Sequence, residues 1–351
     1  MRICFVCDTM ESGGAERVIA TLSNGFVTRG HDVTILMLSH EANSSFYSLD
    51  HRIKLLNLPE KQKAFLKKAK NLKRAILANK PDIVISFLSY VCIYTWWALR
   101  RTKIPYVVSE RNDPNQRGKI KQYLLNKSFN RASGCVFQTE DAYTWYEKIA
   151  KNKSIVIYNP VNLDFVPESC KVRKKQILYV GRFTEQKNCL MLIDAFKLFS
   201  IKFPSYTLKM YGNGPMEEAI KQKIVSENLS DKVVMLPSSK MWQKEEYDSS
   251  LFLLTSKFEG MPNVLAEALC LGIPSVSTDC IIGGPKELKK LFPNLLALAD
   301  SNPRSISEKM EEMMLVKSEK CIIPRELDKD IIVEKWIRFI ENSLKKESRH
   351  V

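Results

Sequence analysis

The sequence predicts an α/β protein made of two doubly wound, Rossmann-like units in tandem. Three observations carry this expectation. The length of 351 residues suits about two domains at roughly 150 residues each. Short apolar runs alternate with longer helical stretches, the pattern of parallel strands joined by crossover helices. A strand followed by a glycine-bearing loop and a helix opens the chain near Ile3 and recurs near Ile177.

Ile3–Asp8 is a short apolar strand. Thr9 to Glu16 forms a loop with Gly13 and Gly14, and a helix follows with Val18, Leu22 and Phe26 on one face. Gly30-His31-Asp32 ends that helix, and Val33–Leu38 is the next strand. Asp82–Phe87, Tyr106–Ser109, Gly134–Gln138 and Ser154–Tyr158 continue the series, with helical stretches over 61–79, 91–102 and 140–151. Glu168–Lys175 is polar and basic and reads as a linker. Ile177–Val180 then opens the second unit, followed by Gly181-Arg182-Phe183 and a helix from Leu190 to Phe203. Leu208–Tyr211, Val233–Leu236, Leu251–Thr255 and Ser275–Ser277 are its later strands. A last helix, Ile331–Leu344, carries Ile332, Trp336, Phe339 and Ile340 on one face and is expected to cross back to the first unit. The boundaries drawn are 1–163, 164–330 and 331–351.

Apolar residues at 45% and charged residues at 26% mark a globular chain, not a disordered one. The longest apolar run, Val91 to Leu99, is half of what a spanning helix needs. The opening Met1-Arg2-Ile3-Cys4-Phe5 reads as a strand, not a signal peptide, so a cytoplasmic location is expected. Nine Cys without a spacing framework fit a reducing compartment. Cys4 and Cys7 form a C-x-x-C with no second pair, which fits buried strand thiols better than a metal site. The net charge of +15 is uneven: residues 51–200 hold 29 Lys and Arg against 11 Asp and Glu, and the remainder 25 against 28. An anionic partner is expected at that basic region.

The most informative stretch runs from Phe258 to Leu269, with Glu259 and Glu267 on either side of a Gly-Met-Pro turn. Pro262 suits a first helical position. The backbone N–H groups of Asn263, Val264 and Leu265 then face outward at a positive helix end, a site for phosphate. A nucleoside diphosphate sugar fits this layout, with sugar hydroxyls near Glu259 and ribose hydroxyls on Glu267. The alternative is an amphipathic helix with two solvated acids. Arg182 and Lys187, five residues apart on a strand-to-helix loop, can both reach one diphosphate and neutralise its charge as it leaves. Gly13-Gly14 lets backbone approach a ligand closely but is not a G-x-G-x-x-G.

The segments GGAERV, SERNDP, VFQTE, NPV, GRFTEQK, YGNGP, EGMPNVLAEALCLGIPSVSTDC and GGPKEL occur in this order. Together they resemble the bacterial glycosyltransferase family 4 enzymes of GT-B fold, over residues 2 to 290. The nearest subgroup contains hexosyl- and N-acetylgalactosaminyltransferases that build lipid-linked oligosaccharides, O-antigens and capsules. The resemblance implies two units facing a cleft, the first binding acceptor and the second binding nucleotide sugar. It implies that Arg182 and Lys187 bind the donor diphosphate, Glu259 the donor sugar and Glu267 the ribose. Asn263, Val264 and Leu265 would offer amides to phosphate, and Gly14 would line the cleft. It further implies retention of anomeric configuration by front-side displacement, a UDP-linked donor, and no metal or other cofactor. Glu110, Arg111 and Asn112 follow a strand end and are expected to line the acceptor cleft.

Three departures stand out. Many relatives carry a His after the strand equivalent to Asp82–Phe87, where this chain reads Leu88-Ser89-Tyr90. Phe292-Pro293-Asn294-Leu295-Leu296 replaces a glycine-containing loop. The lone D-x-D, Asp328-Lys329-Asp330, lies away from any strand end and reads as solvated.

Residues 61–80 carry eight Lys and Arg and no acid, interleaved with Phe65, Leu66, Leu72, Ile76 and Leu77. This suits an amphipathic helix on an anionic bilayer, or one that tracks the pyrophosphate of a lipid-linked acceptor. Residues 96–101, Trp-Trp-Ala-Leu-Arg-Arg, add interfacial aromatics beside cations. Peripheral association with the inner face of the cell membrane follows as the expectation, against a packed helix with a solvated basic face. No nucleic-acid module is visible. Two other functions stay open: a GT-B UDP-sugar epimerase or hydrolase, disfavoured by four His placed elsewhere, and a non-catalytic nucleotide-sugar-binding protein.

Overall fold

Parallel strands and crossover helices fill both halves of the chain. The computed structural model describes residues 1–39, 44–58, 64–111, 118–150, 152–163, 165–167, 172–316 and 320–348. The chain divides into two units, Met1–Pro160 together with Glu326–Val351, and Val161–Arg325.

The first unit holds seven strands: β1 (Arg2–Cys7), β2 (Asp32–Met37), β3 (Lys54–Asn57), β4 (Ile83–Phe87), β5 (Tyr106–Ser109), β6 (Gly134–Phe137) and β7 (Ser154–Val156). They pair in the order β3-β2-β1-β4-β5-β6-β7, all parallel. Every residue of β4 is buried, as befits a strand covered on both faces. The helices are α1 (Gly14–Thr28), α2 (Phe65–Asn79), α3 (Ser89–Leu99), α4 (Lys119–Arg131) and α5 (Glu140–Tyr146). Helix α2 packs on α3, and α3 on α4. The helix expected over 61–79 is thus described from residue 65, since residues 61–63 lie outside the described residues. Strand β3 and helix α4 are additions to the elements read from sequence. Cys4 and Cys7 lie three residues apart in β1, so their side chains point to opposite faces of the sheet.

The second unit holds β8 (Lys174–Val180), β9 (Thr207–Tyr211), β10 (Val233–Leu236), β11 (Ser249–Leu254), β12 (Ser275–Thr278) and β13 (Leu296–Ala299), in the order β10-β9-β8-β11-β12-β13. Its helices are α6 (Cys189–Lys202), α7 (Glu217–Ser226), α8 (Trp242–Glu246), α9 (Asn263–Cys270), α10 (Gly284–Leu291) and α11 (Pro303–Met313). Lys174 and Lys175 belong to β8, not to a linker. Lys174 N–H donates to Asp248 O at 2.8 Å and its ammonium pairs with the Asp248 carboxylate at 2.8 Å. Phe292 ends α10 and Leu296 begins β13, so the loop that departs from the family pattern is a tight helix-to-strand joint.

The final helix, α12 (Lys329–Ser348), returns to the first unit and packs against α1. Trp336 is fully buried and stacks on Phe87 with ring centroids 5.9 Å apart. Ile332, Val333, Ile337 and Ile340 join the same core as Phe5, Phe26 and Ile85. The D-x-D lies at the surface, with the Asp330 side chain 65% exposed, and also has a structural part. Asp328 accepts from the N–H groups of Asp330 and Ile331 at 3.0 Å each, and Asp330 pairs with Arg29 at 3.1 Å. A carboxylate ahead of a helix satisfies amides that have no partner within it.

Candidate active site

In each sheet the strand order reverses direction once, between β1 and β4 in the first unit and between β8 and β11 in the second. Ligands of open α/β sheets bind outside the carboxyl ends of the strands at such a switch point. The loops after β8 and β11 carry Arg182, Lys187 and Glu259 to that place in the second unit.

The loop after β8 is held by its neighbours. Tyr179 OH donates to Arg182 O at 3.1 Å, and Phe183 N–H to Asn213 O at 2.9 Å. The loop after β9 lies so close that a Cβ on Gly212 would sit 2.0 Å from Gly181 O, which explains the glycine in Tyr211-Gly212-Asn213-Gly214. A 3-10 turn follows at Glu185–Lys187, and Asn188 takes a left-handed conformation at φ 50° before α6.

Three hydrogen bonds lace this turn to the loop after β11. Thr255 Oγ1 donates to Lys187 O at 3.1 Å, Gln186 Nε2 to Phe258 O at 2.9 Å, and Lys257 N–H to Gln186 O at 2.8 Å. They bring the Lys187 ammonium onto Glu259 Oε1, which also accepts from Ser256 Oγ at 2.6 Å. Both side chains of the ion pair are largely buried, at 13% and 9% exposure. Lys187 is therefore not a solvated loop cation. Arg182 is exposed, one strand-end away on the same loop.

Helix α9 begins just beyond Glu259. Pro262 is its N-cap at φ −76° and ψ 106°, not its first helical residue, because that ψ is extended. The first intrahelical bond runs from Ala266 N–H to Pro262 O at 3.1 Å, so the amides of Asn263, Val264 and Leu265 precede the helix's own ladder. Those three amides and the helix dipole favour an anion. Gly284 makes this approach possible, since a Cβ there would lie 1.5 Å from Gly260 O. Glu267, the fifth residue of α9, is buried at 1% exposure and accepts from Gln243 Nε2 at 2.9 Å. Glu259 and Glu267 thus have separate partners on separate elements, and neither is a solvated helix acid.

The remaining expected residues lie in the first unit. Gly14 is the first residue of α1. Glu110 and Arg111 follow β5 and are both buried. The Glu110 carboxylate accepts from Ser89 Oγ at 3.0 Å and from Arg111 N–H at 2.8 Å. The Arg111 guanidinium lies 4.1 Å over the Phe87 ring and donates to Asn159 Oδ1, which also accepts from Gln138 Nε2 at 2.6 Å. Burial pulls the Arg111 pKa down to about 9. Asn112 lies outside the described residues. Ser89, Glu110, Arg111, Gln138 and Asn159 form one polar cluster at the carboxyl ends of β4 to β7. Leu88 sits at φ 73° and ψ 144°, a conformation that costs a leucine strain.

Residues 12–165 match the family described as Glycosyltransferase Family 4, and residues 164–332 match Glycosyl transferases group 1. The chain thus joins a Glycosyltransferase Family 4 domain to a Glycosyl transferases group 1 domain. It is 25% identical to a Campylobacter jejuni GalNAc-alpha-(1->4)-GalNAc-alpha-(1->3)-diNAcBac-PP-undecaprenol alpha-1,4-N-acetyl-D-galactosaminyltransferase, covering 97% of this chain and 98% of that one. It is 29% identical to the Lipopolysaccharide 1,6-galactosyltransferase of Escherichia coli K12, covering 62% of this chain and 63% of that one. Anabaena Alr3699/HepE, solved in complex with UDP and glucose, superposes with a TM-score of 0.78 at 16% identity, over 97% of this chain and 99% of that one. The glycosyltransferase has the GT-B fold, as two parallel-sheet units with such neighbours require.

Sequence reading singled out Glu259, Glu267, Lys187 and Arg182 but not the side chains that meet them. Ser256, Gln186 and Thr255 fix Lys187 on Glu259, and Gln243 meets Glu267 across 24 residues. No local signal marks such partners. Gly284 was within reach, because the quoted GGPKEL segment contains it.

Proposed function

We propose that this glycosyltransferase moves a hexose or N-acetylhexosamine from a UDP-linked donor to a lipid-linked saccharide acceptor in surface-glycan assembly. The observation that carries the reading is the Lys187–Glu259 pair held ahead of the α9 amides, with Arg182 exposed on the same loop. Arg182 and Lys187 take the donor diphosphate together with the amides of Asn263, Val264 and Leu265. Glu259 receives the donor-sugar hydroxyls and Glu267 the ribose. As the sugar–phosphate bond breaks, negative charge grows on the diphosphate, where two cations and a helix end already stand. That pre-set charge supplies leaving-group stabilisation from the chain itself, so the reaction proceeds without a metal. The departing phosphate oxygen accepts the proton of the acceptor hydroxyl on the same face, and anomeric configuration is retained. The first unit, with Glu110, Arg111 and Asn112, is the acceptor side, and its Gly14 is assigned to the nucleotide sugar.

The acceptor chemistry rests on the named relatives, which act on undecaprenyl-diphosphate-linked and lipopolysaccharide acceptors. A bilayer partner has further support in α2, α3 and α4, which contain no Asp or Glu. Leu66, Leu77, Ile120 and Tyr123 stand exposed on α2 and α4 among Lys67, Lys70, Lys73, Lys119, Lys121 and Lys127. Trp96 and Trp97 are half-buried instead: Trp97 packs on Phe65 at 5.6 Å and lies under Arg100 at 3.7 Å. Trp97 and Tyr94, both against Phe65, fasten α2 to α3, so α4 takes the place of residues 96–101 in the bilayer surface.

The test is UDP release by purified protein across a panel of UDP-sugars, with and without extract containing lipid-linked oligosaccharide, in parallel with EDTA. Release with one sugar, dependent on extract and indifferent to EDTA, is expected, with the anomeric configuration of the product retained by NMR. UDP release without extract would make the protein a hydrolase instead, and conversion of the UDP-sugar without extract an epimerase.

A further inference from the structure

We propose that Gln243 is a positioning residue for the donor site, holding the Glu267 carboxylate in the orientation that receives the donor ribose. The inference rests on the role given to Glu267 above. Gln243 and Glu267 are buried at 3% and 1% exposure, and the Gln243 amide donates to Glu267 Oε2 at 2.9 Å. A buried carboxylate without donors is costly, and a hydrogen bond to it offsets that cost and fixes its rotation. The side chain that does this comes from α8, a five-residue helix.

Yet α8 is pinned on both sides. Three residues after Gln243, Glu246 is buried and accepts from Gln176 Nε2 at 2.5 Å, Lys209 Nζ at 2.6 Å and Tyr211 OH at 2.7 Å. The donors come from β8 and β9, so α8 is fastened to the sheet floor through Glu246. Trp242, buried at 3% exposure, packs toward Phe252 of β11 at 6.3 Å between ring centroids. The sheet thus fixes α8, α8 fixes the Gln243 amide, and the amide fixes Glu267. Partners that orient a ligating group are commonly worth 10–100-fold in affinity, as second-shell residues of metal sites show.

The experiment titrates UDP into the full chain by calorimetry and compares four variants with the unaltered protein at each pH. Gln243→Glu sets two carboxyls against each other, which cannot both ionise and so share a proton. Its Kd for UDP, as a ratio to the unaltered chain, is expected to rise about 10-fold or more at pH 8 and to fall back as pH drops toward about 5. Gln243→Met, of similar size, is expected to weaken binding about 10-fold with a ratio that does not change with pH. In the exchanged pair Gln243→Glu with Glu267→Gln, the amide–carboxylate bond survives with its ends reversed. That protein is expected to melt near the unaltered temperature and still bind UDP poorly. A pH-independent ratio for Gln243→Glu, or unaltered affinity in both single Gln243 variants while Glu267→Gln binds poorly, would overturn the positioning role alone. Unaltered affinity in Glu267→Gln would overturn the ribose role of Glu267 and the inference with it.

Discussion

At the scale of single residues, the second unit treats its two loop cations differently. Lys187 neutralises a buried acid, whereas Arg182 stands in solvent. Lys187→Met leaves the Glu259 carboxylate with Ser256 as its remaining described donor, and breaking a largely buried pair this way costs about 3 kcal/mol. Arg182→Ala is expected to change stability by less than about 0.5 kcal/mol. Both are expected to lower turnover about 10²-fold or more, through lost leaving-group stabilisation. Urea unfolding and UDP release, measured on both variants, check the contrast. The sequence displayed Lys187 and Glu259 as chemistry-bearing types on loops after strands. Their pairing, across 72 residues, depends on strand order and was not legible. The thiols give a second expectation. Burial pushes Cys4, Cys92, Cys135 and Cys280 up to about 12 and Cys189 up to about 11. A raised thiol keeps its proton longer in the folded chain than in the unfolded one. Its stabilising effect is therefore full below the ordinary thiol pKa near 8.5 and is lost as pH climbs toward 12, at about 1.4 kcal/mol per pH unit per thiol. Thermal melts at rising pH should show a steady midpoint up to about pH 8.5 and a steep decline beyond it.

At the scale of elements, legibility followed the strength of the apolar pattern. Buried strands such as β4 and β11 read clearly, because each contains a short apolar run, Ile83–Ile85 and Leu251–Leu254. Edge strand β3 did not, with four residues alternating exposed and half-buried. Helix α4 was missed for a related reason: its exposed Ile120 and Tyr123 blur the amphipathic stripe. Helix α12 read well, because Ile332, Trp336 and Ile340 recur on one face and are all fully buried. Trp336→Ala is expected to cost about 3–5 kcal/mol, with loss of the first unit's cooperative melt. The α9–α10 contact gives a sharper case. Gly284→Ala forces a methyl into Gly260 O and must shift the loop that bears Glu259. An overpacking cost of about 1–3 kcal/mol is expected, with weaker UDP binding by calorimetry.

At the scale of the molecule, the charge of +15 is not spread evenly, and the acid-free helices α2, α3 and α4 lie side by side in the first unit. Composition made the asymmetry legible, but not the surface, since only folding brings α4 next to α3 and half-buries the two tryptophans. Flotation with liposomes containing anionic lipid is expected to recover the protein at low salt and lose it at high salt, because exposed charges are screened within about 10 Å at 0.1 M. Replacing Ile120 and Tyr123 together by Ser should reduce the recovered fraction without changing the melting temperature, as both side chains are exposed. Binding that ignores lipid charge would count against this surface.

The return of α12 to the first unit also sets the order in which a growing chain can fold on the ribosome. Residues 1–160 emerge first, but their core lacks Ile332, Trp336 and Ile340 until the last helix leaves the exit tunnel. Residues 161–325 have all their strands in hand earlier and can close first. The first unit is thus completed only when α12 packs on it, because Trp336 supplies part of the cover over Phe87.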